Sequence, residues 1–209
     1  MLLVAVDIGN TNVVIGFLDD GHIAGTYRIT TKANHTSDEY GLMITQFLRL
    51  SGYAPGDVDD VIITSVVPKV MHSFRASIVK FLNIDPMIVG PGVKTGINIR
   101  MDNPQNMGAD CIADCAGAYY EYGGPILVAD FGTATTFNYV TADASVICGL
   151  ITTGIRTGAA ALWDATAQLP EVEITRPSSI LAKHQASHAG RPVLQLPWRH
   201  RTYDRAIPS

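Results

Sequence analysis

The stretch Met107-Gly-Ala-Asp-Cys-Ile-Ala-Asp-Cys115 places two cysteines four residues apart and an aspartate immediately before each. Three kinds of chemistry fit such a pattern: a metal site, a redox pair, or the first turn of a helix that carries a catalytic base. Zinc would need two further ligands, and no second Cys pair or His pair at metal spacing stands near. A thiol–disulfide couple would want the closer C-x-x-C spacing. A helix needs neither. Ile112, Cys115, Ala116 and Tyr119 are spaced to share one face, which puts Asp110 at a helix N-terminus, where the helix dipole favours the carboxylate anion. Cys115 is then a small buried helix residue.

Two further stretches carry chemistry of another kind. AVDIGNTNVV (5–14) and VADFGTATTF (128–137) each read as a strand ending in Asp, then x-Gly, then small hydroxyl or amide residues before the next strand. Glycine there lets the backbone N–H groups approach a phosphate closely. An Asp held at the strand end would face Mg²⁺ or another cation bound with a nucleotide. Either turn alone is also ordinary hairpin punctuation. The pair falls at corresponding places in two similar element orders, which favours an internal duplication. Two such turns facing each other would grip one triphosphate from both sides, which suggests phosphoryl transfer. Neither a Gly-Lys-Ser/Thr loop nor a GxGxxG fingerprint occurs.

The elements that must hold these turns follow from periodicity. Residues 2–7 and 13–18 read as strands, Asp19-Asp20-Gly21 as a turn, and 22–30 as a third strand. Thr36-Ser-Asp-Glu39 fits a capping box, and Tyr40, Met43, Ile44, Phe47 and Leu48 follow helical spacing up to Gly52. A strand at 59–66, a helix from Pro68 through Leu82 and a strand at 85–90 complete the order βββαβαβ. Strands at 125–130, 135–140 and 145–151 and a helix over 157–169 repeat the βββα opening. From His184 onward the sequence has no usable period and holds four arginines and three prolines. That tail reads as irregular, or as sequence the fold did not evolve with, as a frameshift would produce.

Composition narrows the class. The chain has 209 residues, 47% hydrophobic and 16% charged, which is ordinary for a packed α/β protein and argues against disorder. A net charge of −4 gives no field that attracts polyanions, so the expectation is small molecules and no nucleic acid, the basic tail around Trp198 notwithstanding. The opening apolar run is broken at Asp7 and has no basic flank, so no signal peptide or membrane span is expected, and the location expected is cytoplasmic. Three cysteines in a reducing compartment are expected to be free thiols. His22, His35 and His72 are scattered and read as solvated.

Asp7-Ile-Gly-Asn-Thr11, Ser65-Val-Val-Pro68, Val89-Gly-Pro-Gly-Val-Lys-Thr-Gly96, Asp102-Asn-Pro104, Gly108-Ala-Asp110 and Asp130-Phe-Gly-Thr-Ala-Thr-Thr136 together resemble the motif series of type III pantothenate kinases, members of the acetate and sugar kinase/Hsc70/actin superfamily. The resemblance covers about residues 1 to 183. It implies an α/β fold of duplicated actin-like (ribonuclease H-like) lobes: a first lobe at 1–118, an incomplete second lobe at 119–183 and an atypical tail at 184–209. The implied activity is ATP-dependent phosphorylation of pantothenate to 4′-phosphopantothenate. A homodimer, Mg²⁺ with the nucleotide and a monovalent cation, potassium or ammonium, are implied with it. By position, Asp7, Ile8, Gly9, Asn10, Thr11, Asn12, Val13 and Val14 would cradle ATP, with Thr133 touching it from the other lobe. Asp130 would hold the monovalent cation. Met101, Gly108, Ala109, Asp110, Cys111 and Gln185 would contact pantothenate, with Asp110 as the base.

The chain departs from the family pattern at Cys111, where the family has an arginine able to pair bidentately with a carboxylate or phosphate. Cys148-Gly-Leu-Ile-Thr-Thr-Gly154 keeps two glycines of a later family segment and loses its proline, and His184-Gln185 stands where the family has Asn-Thr. The alternatives are a catalytically impaired or inactive protein of the same fold, a regulator or the product of a disrupted gene, and an actin-like sugar or acetate kinase.

Overall fold

The computed structural model describes residues 1–90, 92–165, 171 and 174. The first sheet begins with strands β1 (Leu2–Ile8), β2 (Asn12–Asp19) and β3 (His22–Thr30), an antiparallel meander as the sequence predicts. Asp20 and Gly21 both have positive φ, the conformation a two-residue hairpin turn requires. Helix α1 (Ser37–Leu50) opens with the predicted box: the Thr36 hydroxyl accepts from the Glu39 N–H, and the Glu39 carboxylate accepts from the Thr36 N–H. Strand β4 (Val58–Ser65) then runs parallel to β1, and helix α2 (Pro68–Leu82) begins with proline at its first position and ends at Asn83 in the left-handed region. Strand order is β3-β2-β1-β4-β5, where β5 is Met87–Ile88.

Alternation decides which face is buried. Val4, Val6, Ile8, Val13, Ile15, Phe17, Val61 and Ile63 point to one side of the sheet and pack under Tyr40, Ile44, Leu48, Phe74 and Ile78 of α1 and α2. Asp7 and Thr64 therefore stand on the opposite side. The two helices approach closely at Gly41, where an added Cβ would lie 2.1 Å from the Phe81 ring. Gly41→Ala is expected to cost about 1–3 kcal/mol by overpacking, despite alanine's better helix propensity. Urea unfolding that leaves the midpoint unchanged would sink this expectation.

The second sheet has order β6-β9-β8-β7, with β6 at Asn98–Ile99, β7 at Ile126–Phe131, β8 at Ala134–Val140 and β9 at Ser145–Thr153. Helix α3 (Ala109–Tyr122) precedes β7, and α4 (Ile155–Ala165) follows β9, so the βββα unit recurs as predicted. Ile112 and Cys115 of α3 are buried with Val140 and Val146 of this sheet. Cα packing divides the chain into two compact units, Met1–Phe131 with Thr135–Thr152 in one, and Gly132–Ala134 with Thr153 and α4 in the other.

Three element expectations need correction. The strand expected at 85–90 pairs only at Met87 and Ile88, because Pro86 has no N–H to donate, although Val89 still donates to the Ile63 carbonyl. Strand β6 was not foreseen. Its two residues carry no period, and it exists because Asn98 and Arg100 donate to the Ala144 and Val146 carbonyls along β9. Helix α4 starts at Ile155, two residues before the expected position. The tail expected at 184–209 lies outside the described residues.

Candidate active site

The β1–β2 turn is built from its own backbone. Gly9 N–H donates to the Asn12 carbonyl at 3.0 Å, while the Thr31 hydroxyl donates to the Gly9 carbonyl at 2.7 Å and the Thr31 N–H to the Thr11 carbonyl. These bonds fold the turn and leave Asn10 and Thr11 exposed at its tip. Ile8 and Val13 lie in the core, so the backbone of these two residues, not their side chains, is what can reach a phosphate. Val14 stands beside Asp7 on the other face, opposite it in the ladder.

Asp7 is fixed by strand pairing. It sits level with Thr64 of β4, whose hydroxyl donates to the Asp7 carboxylate at 2.7 Å. Asp7 retains exposed surface, but the protein around its carboxyl partly desolvates it and pushes it up, the Thr64 bond opposes this, and the charges of Asp110 and Asp130 push it further up. Asp7 is thus close enough to feel two other carboxylates of the predicted site.

Asp110 occupies the first turn of α3, as predicted. Its Oδ1 accepts the Cys111 N–H at 2.8 Å, one of the donors a helix start leaves unpaired. The same oxygen lies close to Gly108: a Cβ there would be 2.3 Å from Asp110 Oδ1, so a side chain at 108 would make the carboxylate shift from the place it holds over the helix end. Ala109 is the first residue of α3. Asp130 lies near the end of β7 directly across from Thr136 of β8, which puts both on the face that α3 covers. Thr133 lies in the β7–β8 turn, and its carbonyl accepts from the Gly154 N–H at 3.1 Å and the Thr157 hydroxyl at 2.8 Å. Gln185 lies outside the described residues.

A fourth carboxylate joins the group. Asp114 is one helical turn beyond Asp110, and its carboxyl is pushed up to about 6, first by burial and then by Asp130, Asp110 and Asp7. The signal was present in the i, i+4 spacing of the two aspartates, but the cysteines beside them obscured it. By surface area the Asp114 side chain is nonetheless exposed, so water screens much of the effect. The sign follows from linkage. A native carboxyl at about 6 against an ordinary 3.8 contributes stability that is full below 3.8 and is lost as pH rises through about 6. Asp114→Asn is expected to match the parent near pH 4 and to exceed it by about 1 kcal/mol near pH 7.5. A thermal midpoint difference that does not grow between these pH values would refute it.

The two cysteines of α3 are poor nucleophiles. Burial pushes the Cys115 thiol up to about 12, and burial with the charge of Asp110 also raises Cys111, so neither offers a thiolate. Cys111 Sγ instead touches the Thr136 hydroxyl at 3.9 Å. Among the described residues no three His, Cys, Asp or Glu side chains close on a common metal point. Carboxylates close enough that Asp7 and Asp114 are pushed up by their neighbours do fit a cation held by one or two of them together with phosphate oxygens and water, the usual arrangement for Mg²⁺ at a nucleotide. No described helix is long and apolar enough to cross a membrane.

Comparison with known proteins assigns the chain to a family. The family profile described as Type III pantothenate kinase matches residues 3–189. A type III pantothenate kinase of Bifidobacterium adolescentis is 92% identical over 183 residues, covering 88% of this chain and 72% of that one. Counterparts from Bifidobacterium longum and Agathobacter rectalis are 76% and 47% identical, each with 70% of its length covered.

Proposed function

Because the chain belongs to the type III pantothenate kinase family, we propose that Asp7, Asp110 and Asp130 form the centre at which it transfers the γ-phosphoryl group of ATP to pantothenate. The product is 4′-phosphopantothenate, and the reaction is the first step of coenzyme A biosynthesis. The observation that supports this reading most is the convergence of carboxylates from the ends of β1 and β7 on the first turns of α3.

In this reading the Gly9–Asn12 turn presents backbone N–H groups and the Asn10 and Thr11 side chains to the ATP phosphates. Ile8 and Val13 anchor the turn from the core, while Asn12 and Val14 begin the strand that leaves it. Thr133 supplies a second contact to ATP from its own turn. Met101, Gly108, Ala109 and Cys111 border pantothenate, and Asp110 accepts the proton of its attacking hydroxyl. A loose phosphoryl transition state asks little of a base before the hydroxyl bonds to phosphorus, so Asp110 chiefly orients that hydroxyl in line. Asp130 would hold a monovalent cation, potassium or ammonium, and this ion together with Mg²⁺ bound to the nucleotide would supply positive charge against the phosphoryl oxygens. We assign the working form as a cytoplasmic homodimer.

The test is direct. The purified full chain is incubated with ATP, Mg²⁺ and pantothenate, with potassium or sodium as the added cation, and 4′-phosphopantothenate is measured by mass spectrometry. Potassium-dependent product is expected. Its absence, together with product formation by a chimera carrying the Bifidobacterium adolescentis C-terminal part, would make this chain a non-catalytic protein of the same fold.

A further inference from the structure

Strand β8 turns alternate residues toward α3, and the ladder with β7 sets what stands there: Thr136 faces Asp130, Asn138 faces Val128, and Val140 faces Ile126. Val140, Val128 and Ile126 belong with the apolar cluster around Cys115. Asn138 is only 5% exposed, between that cluster and the Asp130–Thr136 pair. Burying a carboxamide costs free energy unless it is hydrogen-bonded, and an aliphatic residue would fill the same space more cheaply. Its side chain is near enough to the Cys111 thiol to lower that thiol's pKa against the effect of burial. A thiol is a weak partner, and a carboxamide carries two donors and an acceptor with two lone pairs, so the thiol leaves most of that capacity for another group.

Strand β9 adds an independent observation. A Cβ built on Gly149 would lie 3.1 Å from Asn138 Oδ1 and 3.4 Å from the Met101 methyl group. The Asn138 carbonyl and the Met101 side chain therefore converge over a position kept bare. Met101 and Cys111 are two of the residues assigned above to pantothenate, and the inference rests on that assignment. We propose that Asn138 is a substrate-positioning residue of the acceptor pocket, its carboxamide hydrogen-bonding the amide or hydroxyl groups of pantothenate and held in place by Cys111 and by the absence of a side chain at position 149. Thr136, Cys111 and Asn138 form the polar wall of that pocket, and Met101 over Gly149 forms its apolar one.

The test compares the full-length parent with Asn138→Leu, Asn138→Ser and Gly149→Ala by steady-state kinetics in both substrates, with thermal midpoints recorded for each. Asn138→Leu and Gly149→Ala are expected to raise the KM for pantothenate about tenfold, the scale of one or two lost neutral hydrogen bonds, with the KM for ATP within about twofold of the parent. Asn138→Ser is the milder change that reports if the leucine variant does not fold. An unchanged pantothenate KM, or equal shifts in both KM values with a lowered thermal midpoint, overturns the role of Asn138 and leaves the kinase reading standing. A parent that binds and phosphorylates no pantothenate overturns the kinase reading itself, and this inference falls with it.

Discussion

Asp110→Asn is expected to lower kcat for pantothenate phosphorylation by about 10²- to 10⁴-fold, with both KM values little changed. Asparagine has the shape of aspartate, and its side-chain oxygen can still accept the Cys111 N–H that Asp110 takes at 2.8 Å. The helix start is thus preserved while the proton acceptor is lost. The change also removes one of the charges that push Asp7 and Asp114 up, so both neighbours should titrate lower, a shift that NMR of carboxyl-labelled aspartates can follow. A kcat within about tenfold of the parent would move the base to another carboxylate, and Asp114 is the next to test.

Cys111→Arg is expected to act in the opposite direction, lowering the KM for pantothenate by about tenfold or more, the scale of a charge-assisted hydrogen bond. The side chain at 111 points toward Thr136 and Asn138 and lies close to the charges of Asp110 and Asp114. A guanidinium placed there offsets mutual repulsion among carboxylates as well as reaching substrate. The variant should therefore gain stability at neutral pH and lose the pH-dependent deficit ascribed to Asp114. Calorimetric titration with pantothenate reads the first effect and thermal unfolding across pH the second. An unchanged pantothenate affinity would mean that position 111 does not touch the substrate in this chain.

Much of this architecture was legible in the residues, for identifiable reasons. The meander, the capping box at Thr36 and the helix after Pro68 are written in local periods and turn residues, and each stands where those signals put it. The two Asp-x-Gly turns were legible because the pattern occurs twice. Strand β6 was not, since a two-residue strand is made by its neighbour and leaves no period of its own. The place proposed for Asn138 was invisible for a related reason, and so was the partner that Thr136 of the second motif faces. What these two β8 positions face depends on the register of β8 against β7 and on the seat of α3, quantities that no local pattern encodes. Asp114 lay in plain view, but its meaning required the aspartates of two distant strand ends to be brought beside it.

The carboxylates of Asp110 and Asp114 are carried on one continuous helix, while Asp7 and Asp130 come from different sheets. Helix α3 would therefore work as a phase reference for the proposed centre. Each residue along it advances the side-chain direction by about 100°, so Asp110 and Asp114 keep a common heading only while three residues separate them. One residue inserted between them would swing Asp114 out of the group with every strand intact. Substitutions in the surrounding loops are free of that constraint, and drift in this family should be cheaper there than in the length of this one helical turn.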